Sequence, residues 1–342
     1  PAVVVAAYNR PHSLARILKS IRQADFEGYQ NVPLVISIDK SDAEDVFKIA
    51  SDFVWEHGPK RIIAQKSRLG LRNHILACGD LSEEFGAVIL LEDDLYVSPA
   101  FYDYAVQAME FFGQDPAVSG ISLYAYDLNE HAAMRFAAMD DGFDNYFIQT
   151  ASSWGQLWTS SQWKEFRQWY ADNAHLGVTQ SDPLPQNVIR WAENSWKKYF
   201  IKYMVLERKY FVFPRVGLTT ALGDIGTHSK YEISSVRVPL ALKRKQYRFC
   251  PLSSSTCIYD SYFELEARCA KAYTHDLDQY DFEFDLYGNK QLEKVKTPYL
   301  LSIRSCSNPV LSYSMIQVPF ELNIIFGLAG DSFQLGKTAD FV

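Results

Sequence analysis

Four times in its first 123 residues the chain runs through a short, mostly apolar segment and then a stretch that reads as helix. Residues 2–7, 34–38, 61–64 and 87–91 are the apolar segments, each of strand length. Leu14, Ile17, Leu18 and Ile21 follow the first at helical spacing, as do Val46, Ile49, Ala50 and Phe53 the second. Residues 70–80 read as the third helix, and Phe101, Tyr104, Ala105, Ala108 and Phe111 mark the fourth, before residues 118–123 return to strand character. Strands without polar alternation are buried on both faces. Their alternation with helices therefore predicts an α/β fold, a mainly parallel, Rossmann-like sheet flanked by helices. Such sheets take ligands at the carboxyl ends of their strands, where the strand order reverses.

The polar residues at those ends are the candidate site. Asn9 and Arg10 follow the first strand, Asp39 the second, and Glu92, Asp93 and Asp94 the strand that starts at Ala87. Three adjacent carboxylates repel one another unless a cation lies among them, and a hard divalent metal prefers such oxygen ligands. A solvated acidic turn is the bland alternative for these residues taken alone. The convergence of three strand ends on one crevice favours the metal.

Composition excludes several classes. Of 342 residues, 48% are hydrophobic and 22% charged, enough for a large core. A net charge of −7 argues against a nucleic-acid binder. The five cysteines are scattered, with no Cys-x-x-Cys pair, which points to a reducing compartment and no zinc site. No apolar stretch has the length of a spanning helix and the first residues do not resemble a signal peptide. A cytoplasmic location is expected, peripheral at the inner membrane face if Lys243, Arg244, Lys245 and Arg248 contact lipid; a solvated surface is the plainer reading of so short a basic run.

Beyond about residue 140 the pattern loosens. Trp154, Trp158, Trp163, Trp169, Trp191 and Trp196 crowd one segment. Aromatic rings at this density stack on sugar faces, although any single tryptophan is more often core. Residues 182–187 read as a loop, 189–206 as one helix, 210–214 as a strand, and 223–228 as a glycine-rich turn. Residues 231–342 are expected to form a smaller mixed α+β extension that binds acceptor, lids the site or mediates assembly, with Phe282, Phe284, Tyr287 and Tyr299 as candidates there and core packing as their default role.

Two phosphate-binding motifs fail. The Gly336-Lys337-Thr338 run lacks a glycine at the P-loop distance, Gly330 being one residue too far, and only four residues follow it. The turn Tyr8-Asn9-Arg10-Pro11 carries no glycine, so the dinucleotide fingerprint is absent. What survives is a metal that holds a diphosphate by its oxygens and neutralises the charge that grows as the bond to a leaving phosphate breaks.

The stretch Leu69-Gly-Leu-Arg-Asn-His-Ile, followed by Ala87-Val-Ile-Leu-Leu-Glu-Asp-Asp-Leu-Tyr-Val-Ser-Pro-Ala-Phe-Tyr-Asp-Tyr, resembles the nucleotide-sugar glycosyltransferases of the GT-A fold. The likeness is to the N-acetylglucosaminyltransferase I type, with its Glu-Asp-Asp motif, and to bacterial polysaccharide glycosyltransferases. Ala7-Tyr8-Asn9-Arg10-Pro11, Ser37-Ile38-Asp39, Ser153-Trp154-Gly155 and Gly226-Thr227-His228 fit the same pattern. The resemblance covers residues 1–230, the expected GT-A domain. It implies a glycosyltransferase, hexosyl or N-acetylhexosaminyl, in polysaccharide biosynthesis. A sugar would pass with inversion from a nucleotide-diphosphate donor, a uridine one by expectation, to a hydroxyl of a glycan or lipid-linked glycan. It implies Mn2+ or Mg2+ with Asp94 as main ligand and His228 as ligand to metal or diphosphate. Glu92 and Asp93 would meet the ribose or donor sugar; Asn9, Arg10 and Asp39 would hold the nucleoside. Where the resembling group has an aspartate base just after a tryptophan, this chain has Lys197 after Trp196. Glu193, and after it Asp224, are the substitutes. If neither serves, the alternative is a catalytically silent sugar- or nucleotide-binding protein, or an assembly protein, of a polysaccharide machine.

Overall fold

Val3, Val4 and Val5 of the first strand are wholly shielded from solvent, as an all-apolar strand between two neighbours requires. The structure, a computed structural model, describes residues 1–224 and 234–341. In chain order, β1 (Ala2–Ala7), α1 (Pro11–Arg22), β2 (Leu34–Ile38), α2 (Glu44–Asp52), β3 (Lys60–Ala64), α3 (Gly70–Asp80), α4 (Ser82–Phe85) and β4 (Ala87–Glu92) form the predicted alternation. There follow β5 (Leu95–Val97), α5 (Phe101–Phe112), β6 (Val118–Ser122), a small hairpin of β7 (Leu128–Asn129) and β8 (Met134–Arg135), β9 (Asn145–Ile148) and β10 (Gln156–Thr159). Then come α6 (Ser160–Asn173), α7 (Gln186–Arg190), α8 (Trp196–Leu206), β11 (Tyr210–Pro214), β12 (Thr219–Ala221) and β13 (Ile258–Tyr259).

The main sheet runs β13-β9-β11-β6-β10-β4-β1-β2-β3. β4, β1, β2 and β3 pair in parallel, and β6 pairs in parallel with β11. β10 is antiparallel to both β4 and β6, and so seals the middle of an otherwise mostly parallel sheet. The order reverses beside β4 and β1, whose carboxyl ends carry the acids and Arg10. β3 is the edge strand. Its partly exposed residues include Lys60 and Arg61, charges that discourage pairing with another chain. The helical stripe of α1 is where the spacing places it: Leu14, Ile17, Leu18 and Ile21 are buried against the sheet.

One predicted helix is two. Residues 189–206 are interrupted at Trp191–Ser195, which separate α7 from α8. Trp191 is extended (φ −57°, ψ 150°), and Ser195 caps α8 by accepting from the Lys198 amide. Apolar spacing continues across the break because both segments bury one face on the same core, so periodicity alone does not show it. Glu193 consequently lies in the connecting turn and not on a helix.

The carboxyl-terminal region has its own four-stranded sheet, β14 (Phe282–Asp285), β15 (Tyr299–Ser302), β17 (Phe333–Lys337) and β16 (Leu311–Tyr313) in that order, with short helices α9 (Ala267–Lys271) and α10 (Glu321–Ile325). Phe282, Phe284 and Tyr287 are buried in its core. Glu321 is 1% exposed, and its Oε2 has no hydrogen-bond partner among the described residues. Burial pushes this carboxyl up to about 7. Because the folded value exceeds the unfolded one, the contribution to stability is complete below the unfolded value and is lost as pH rises through about 7. Glu321→Gln is therefore expected to be more stable than the wild type at pH above about 8, by on the order of 3 kcal/mol, with the gap closing towards acid. Urea unfolding of both proteins across that range checks it; parallel pH profiles would disprove it.

Candidate active site

β1, β2 and β4 end side by side, and the loops that leave them line a cleft of about 710 Å3, within the range of nucleotide and cofactor sites. Tyr8, Asn9, Arg10, Asp39, Glu92, Asp93, Asp94 and Asp224 all line it. Side chains far apart in sequence are thus gathered as the strand order requires. Trp154, Trp191, Trp196, Lys197 and Glu130 line it as well. Glu193 does not: its side chain is 76% exposed and is ion-paired with Lys198 at 2.8 Å. The reason is the break between the helices, which turns Glu193 outward. His228 and the Gly226-Thr227-His228 run lie outside the described residues.

The cation among the three acids is supplied by the protein itself. Arg10 ion-pairs with both Asp93 and Asp94, to the latter at 3.0 Å, and so is held on the carboxylates at the end of β4. Its position is fixed locally: Arg10 is the residue before Pro11, where α1 begins directly after the β1 turn. One guanidinium does not neutralise the cluster. The Glu92 side chain makes no hydrogen bond or ion pair among the described residues, and its carboxyl is pushed up to about 8, by burial first and by Asp94 and Asp93 next. Asp93 is pushed up by burial to about 6 despite Arg10. Asp94 keeps its Oδ1 free of hydrogen bonds among the described residues while Arg10 takes Oδ2.

This donor set fits a divalent metal as a partial site. Excess carboxylate charge and a free hard oxygen suit Mn2+ or Mg2+. No group of three or more His, Cys, Asp or Glu side chains is placed to hold a metal among the described residues.

Asp39 is buried and spent on the backbone. Its carboxylate accepts from the amides of Lys40, Leu69 and Gly70 at 2.8–2.9 Å, which ties β2 to the start of α3. That arrangement makes it a residue that shapes the cleft wall, with its further acceptor capacity facing the cleft. Beside it the Arg68 guanidinium lies 4.0 Å from the centre of the Tyr8 ring, a planar platform that sequence reading overlooked because Arg68 belongs to no motif and its contact with Tyr8 is 60 residues away along the chain. Asn9 is exposed at the rim. Asp224 accepts from Ser13 at 2.7 Å and pairs with Arg16, both through Oδ2. Burial would raise its carboxyl, but the Arg16 and Ser13 hydrogen bonds prevail and hold it below the usual range.

The tryptophans divide in two. Trp158, Trp163 and Trp196 are buried core, with the Trp158 and Trp163 ring centres 4.5 Å apart. Trp154 and Trp191 are half-buried on the cleft wall, where Trp154 packs on Tyr124 and the Lys197 ammonium lies near both rings. The basic run 243–248 is largely occupied: Arg244 pairs with Asp103 at 2.9 Å, Lys245 pairs with Asp144, and the Arg248 guanidinium lies against Phe143. No helix of the described residues is long and apolar enough to cross a membrane.

Residues 2–164 match the family model described as glycosyl transferase family 2. No curated protein sequence matches the chain. Among solved structures, residues 1–349 of Staphylococcus aureus TarS are 11% identical over 65% of this chain and 60% of that one, with a TM-score of 0.41. A longer TarS structure is 11% identical over 64% of this chain and 36% of that one, with a TM-score of 0.39. A mannosyltransferase from Pyrobaculum calidifontis, in complex with GDP-Man and Mn2+, is 14% identical over 52% of this chain and 47% of that one, with a TM-score of 0.31. The chain therefore spans less than two thirds of each of these proteins, and likenesses of this depth add nothing to the assignment. The family match falls on the part of the sheet whose switch point carries the Glu-Asp-Asp sequence, so residues 2–164 are similar to a glycosyl transferase family 2 domain.

Proposed function

We propose that the protein transfers a sugar, with inversion, from a uridine-diphosphate donor to a glycan hydroxyl in polysaccharide biosynthesis, and that it needs Mn2+ or Mg2+. The observation that carries this reading is the cleft itself: the acids at the end of β4 and half-buried tryptophans line one space of about 710 Å3, large enough for a nucleotide sugar. Tyr8, Arg68 and Asn9 flank the nucleoside end, and Asp39 shapes it. Glu92 and Asp93 meet the ribose and donor sugar. Arg10 places a positive charge beside the diphosphate. Asp94 holds the metal, through its free oxygen. When bound, the metal neutralises the charge that develops on the leaving diphosphate. Residues 1–230 would then act as the transferase unit, and the region after it as acceptor-binding, lid or assembly surface. The sheet takes in β13 from beyond that boundary, so the two parts share a core.

A thermal-shift screen of UDP-glucose, UDP-galactose, UDP-N-acetylglucosamine and GDP-mannose, each with and without manganese, tests the reading. A ligand that prefers the native state raises the melting point, by about 2.7 kcal/mol of added stability at a hundredfold excess over Kd. At least one UDP-sugar is expected to raise it, and more so with manganese. No response to any of the four would sink the proposal. The Lys197 substitution favours a second reading, a silent binding protein. It predicts the same thermal shift with no release of UDP.

A further inference from the structure

Lys197 stands where the resembling enzymes carry their base, and it does not stand alone. Its ammonium lies 2.7 Å from Glu130 Oε1 and 3.2 Å from the Tyr126 hydroxyl, which itself donates to the same oxygen at 3.3 Å. The ammonium is also 5.0 Å from the Trp191 ring centre and 5.5 Å from that of Trp154. Glu130 and Lys197 both line the cleft. Glu130 Oε1 is thus fixed by two donors, while Oε2 makes no hydrogen bond among the described residues.

Resting on the glycosyltransferase reading, we propose that Glu130 is the proton acceptor of the transfer reaction and that Lys197 positions it. The carboxylates that line the cleft narrow the choice. Asp39 is bound to backbone amides on both oxygens. Asp93 and Asp94 carry Arg10. Glu92 belongs to the acid cluster at the end of β4, next to Asp93 and Asp94. Among the described residues Asp224 and Glu130 each keep one oxygen free of hydrogen bonds, but only Glu130 is paired with Lys197, whose ammonium lies against the two half-buried tryptophans of the cleft wall. Lys197, Glu130 and the acids at the end of β4 all line the one cleft.

Glu130 is suited to the step. Burial is the largest single influence and would raise its carboxyl, but the Lys197 charge and hydrogen bond, with neighbouring His131 and the Tyr126 hydrogen bond, together hold it below the usual range, so it is ionised at neutral pH. The other titratable groups around it are Tyr126, Tyr124, and His131, whose imidazole is pushed down by burial to about 4 and is therefore neutral. In the step, the acceptor oxygen forms its bond to the anomeric carbon as Glu130 Oε2 takes its proton. The bond from that carbon to the diphosphate breaks, and its electron pair leaves with the nucleoside diphosphate. Glu130 ends as a neutral carboxyl and returns its proton to solvent. The exchange of an acid for lysine after Trp196 thus relocates the base to the lysine's partner.

The test uses the full chain with manganese, water as acceptor, and whichever of UDP-glucose, UDP-galactose and UDP-N-acetylglucosamine the wild type hydrolyses fastest, read as released UDP. Glu130→Gln is expected to lose about 10²- to 10⁴-fold in kcat, with the melting-point rise caused by UDP and manganese unchanged. Glu130→Asp is expected to recover part of that loss. Lys197→Met, which removes the charge that holds Glu130 low, is expected to move the acid limb of the kcat profile to higher pH, a shift that a merely structural lysine would not produce. Should Glu130→Gln fail to fold, the Glu130→Gln/Lys197→Met pair, which leaves no buried charge unpaired, must show the same loss. A Glu130→Gln or double variant within about threefold of the wild type would overturn the assignment, as would a full loss in Asp224→Asn with Glu130→Gln unaffected. A wild type that binds and hydrolyses none of the donors would instead remove the glycosyltransferase reading, and this assignment with it.

Discussion

Replacement of Asp94 by alanine is expected to cut nucleotide-sugar turnover by about a thousandfold and to remove the manganese-dependent part of nucleotide binding, with the fold intact. The size follows from what the carboxylate does. A leaving diphosphate gains negative charge as its bond to the sugar breaks, and loss of one preorganised neutralising element costs several kcal/mol of transition-state stabilisation. The fold survives for a local reason. The Asp94 side chain is 23% exposed and its one ion-pair partner is Arg10, which keeps Asp93 when Asp94 is gone. No buried group is orphaned, so the melting point without ligand should barely move. UDP release with saturating manganese, alongside melting curves with and without UDP, measures both effects. Ordinary turnover in Asp94→Ala would refute the placement of the metal.

Trp163→Ala should cost about 3–5 kcal/mol of stability, a large share of what holds a domain of this kind folded. Trp163 on α6 is fully buried. Its ring packs on Trp158, Phe166 and Phe200, and its indole N–H donates to Asp80 at 2.8 Å. It fits there because α3 presents Gly79: a Cβ at that position would lie 2.2 Å from the ring. The same contact seats α3, whose first turns carry Gly70, Leu71 and His74 into the cleft wall. Loss of the ring therefore opens a cavity, strands part of the Asp80 carboxylate's hydrogen bonding, and loosens the helix that shapes the nucleoside end. Urea denaturation gives the stability change, and nucleotide affinity should weaken with it. A variant as stable as the wild type would show that α3 is held by something other than this joint. Gly79→Ala is the converse probe, since its methyl group meets the ring with no room to shift.

Much of the architecture was readable in advance because burial imposes a period. The mostly apolar runs at residues 2–7, 34–38 and 87–91 became the inner strands β1, β2 and β4, and the Leu14-Ile17-Leu18-Ile21 stripe became the buried face of α1. The rule that ligands gather at a reversal of strand order then brought Asn9, Arg10, Asp39 and the three acids to one cleft. Periodicity failed at Trp191–Ser195, because two helices that share a core face keep one hydrophobic phase across a break. The placement of Glu193 failed with it.

Glu130 was invisible for a different reason. It lies in the irregular stretch between β7 and β8, where no spacing marks a side chain, and its meaning depends on Lys197, 67 residues away. Sequence registered only half of the pair, as a lysine where an acid was expected. Arg10 is the parallel case. Its position beside the β1 strand end marked it as a site residue, but the ion pair it makes with Asp93 and Asp94 exists only because β1 and β4 are neighbours in the sheet.

By itself the sequence determined the layers of the fold and the strand end that carries its acids, since each follows from local spacing and from the solvation of apolar surface. The tertiary structure alone decided which charge faces which: Arg10 on the acids, Lys197 on Glu130, Lys198 on Glu193. Coulomb energies fall with separation in space and take no account of separation along the chain, so pairings of this kind are settled when distant segments are packed together.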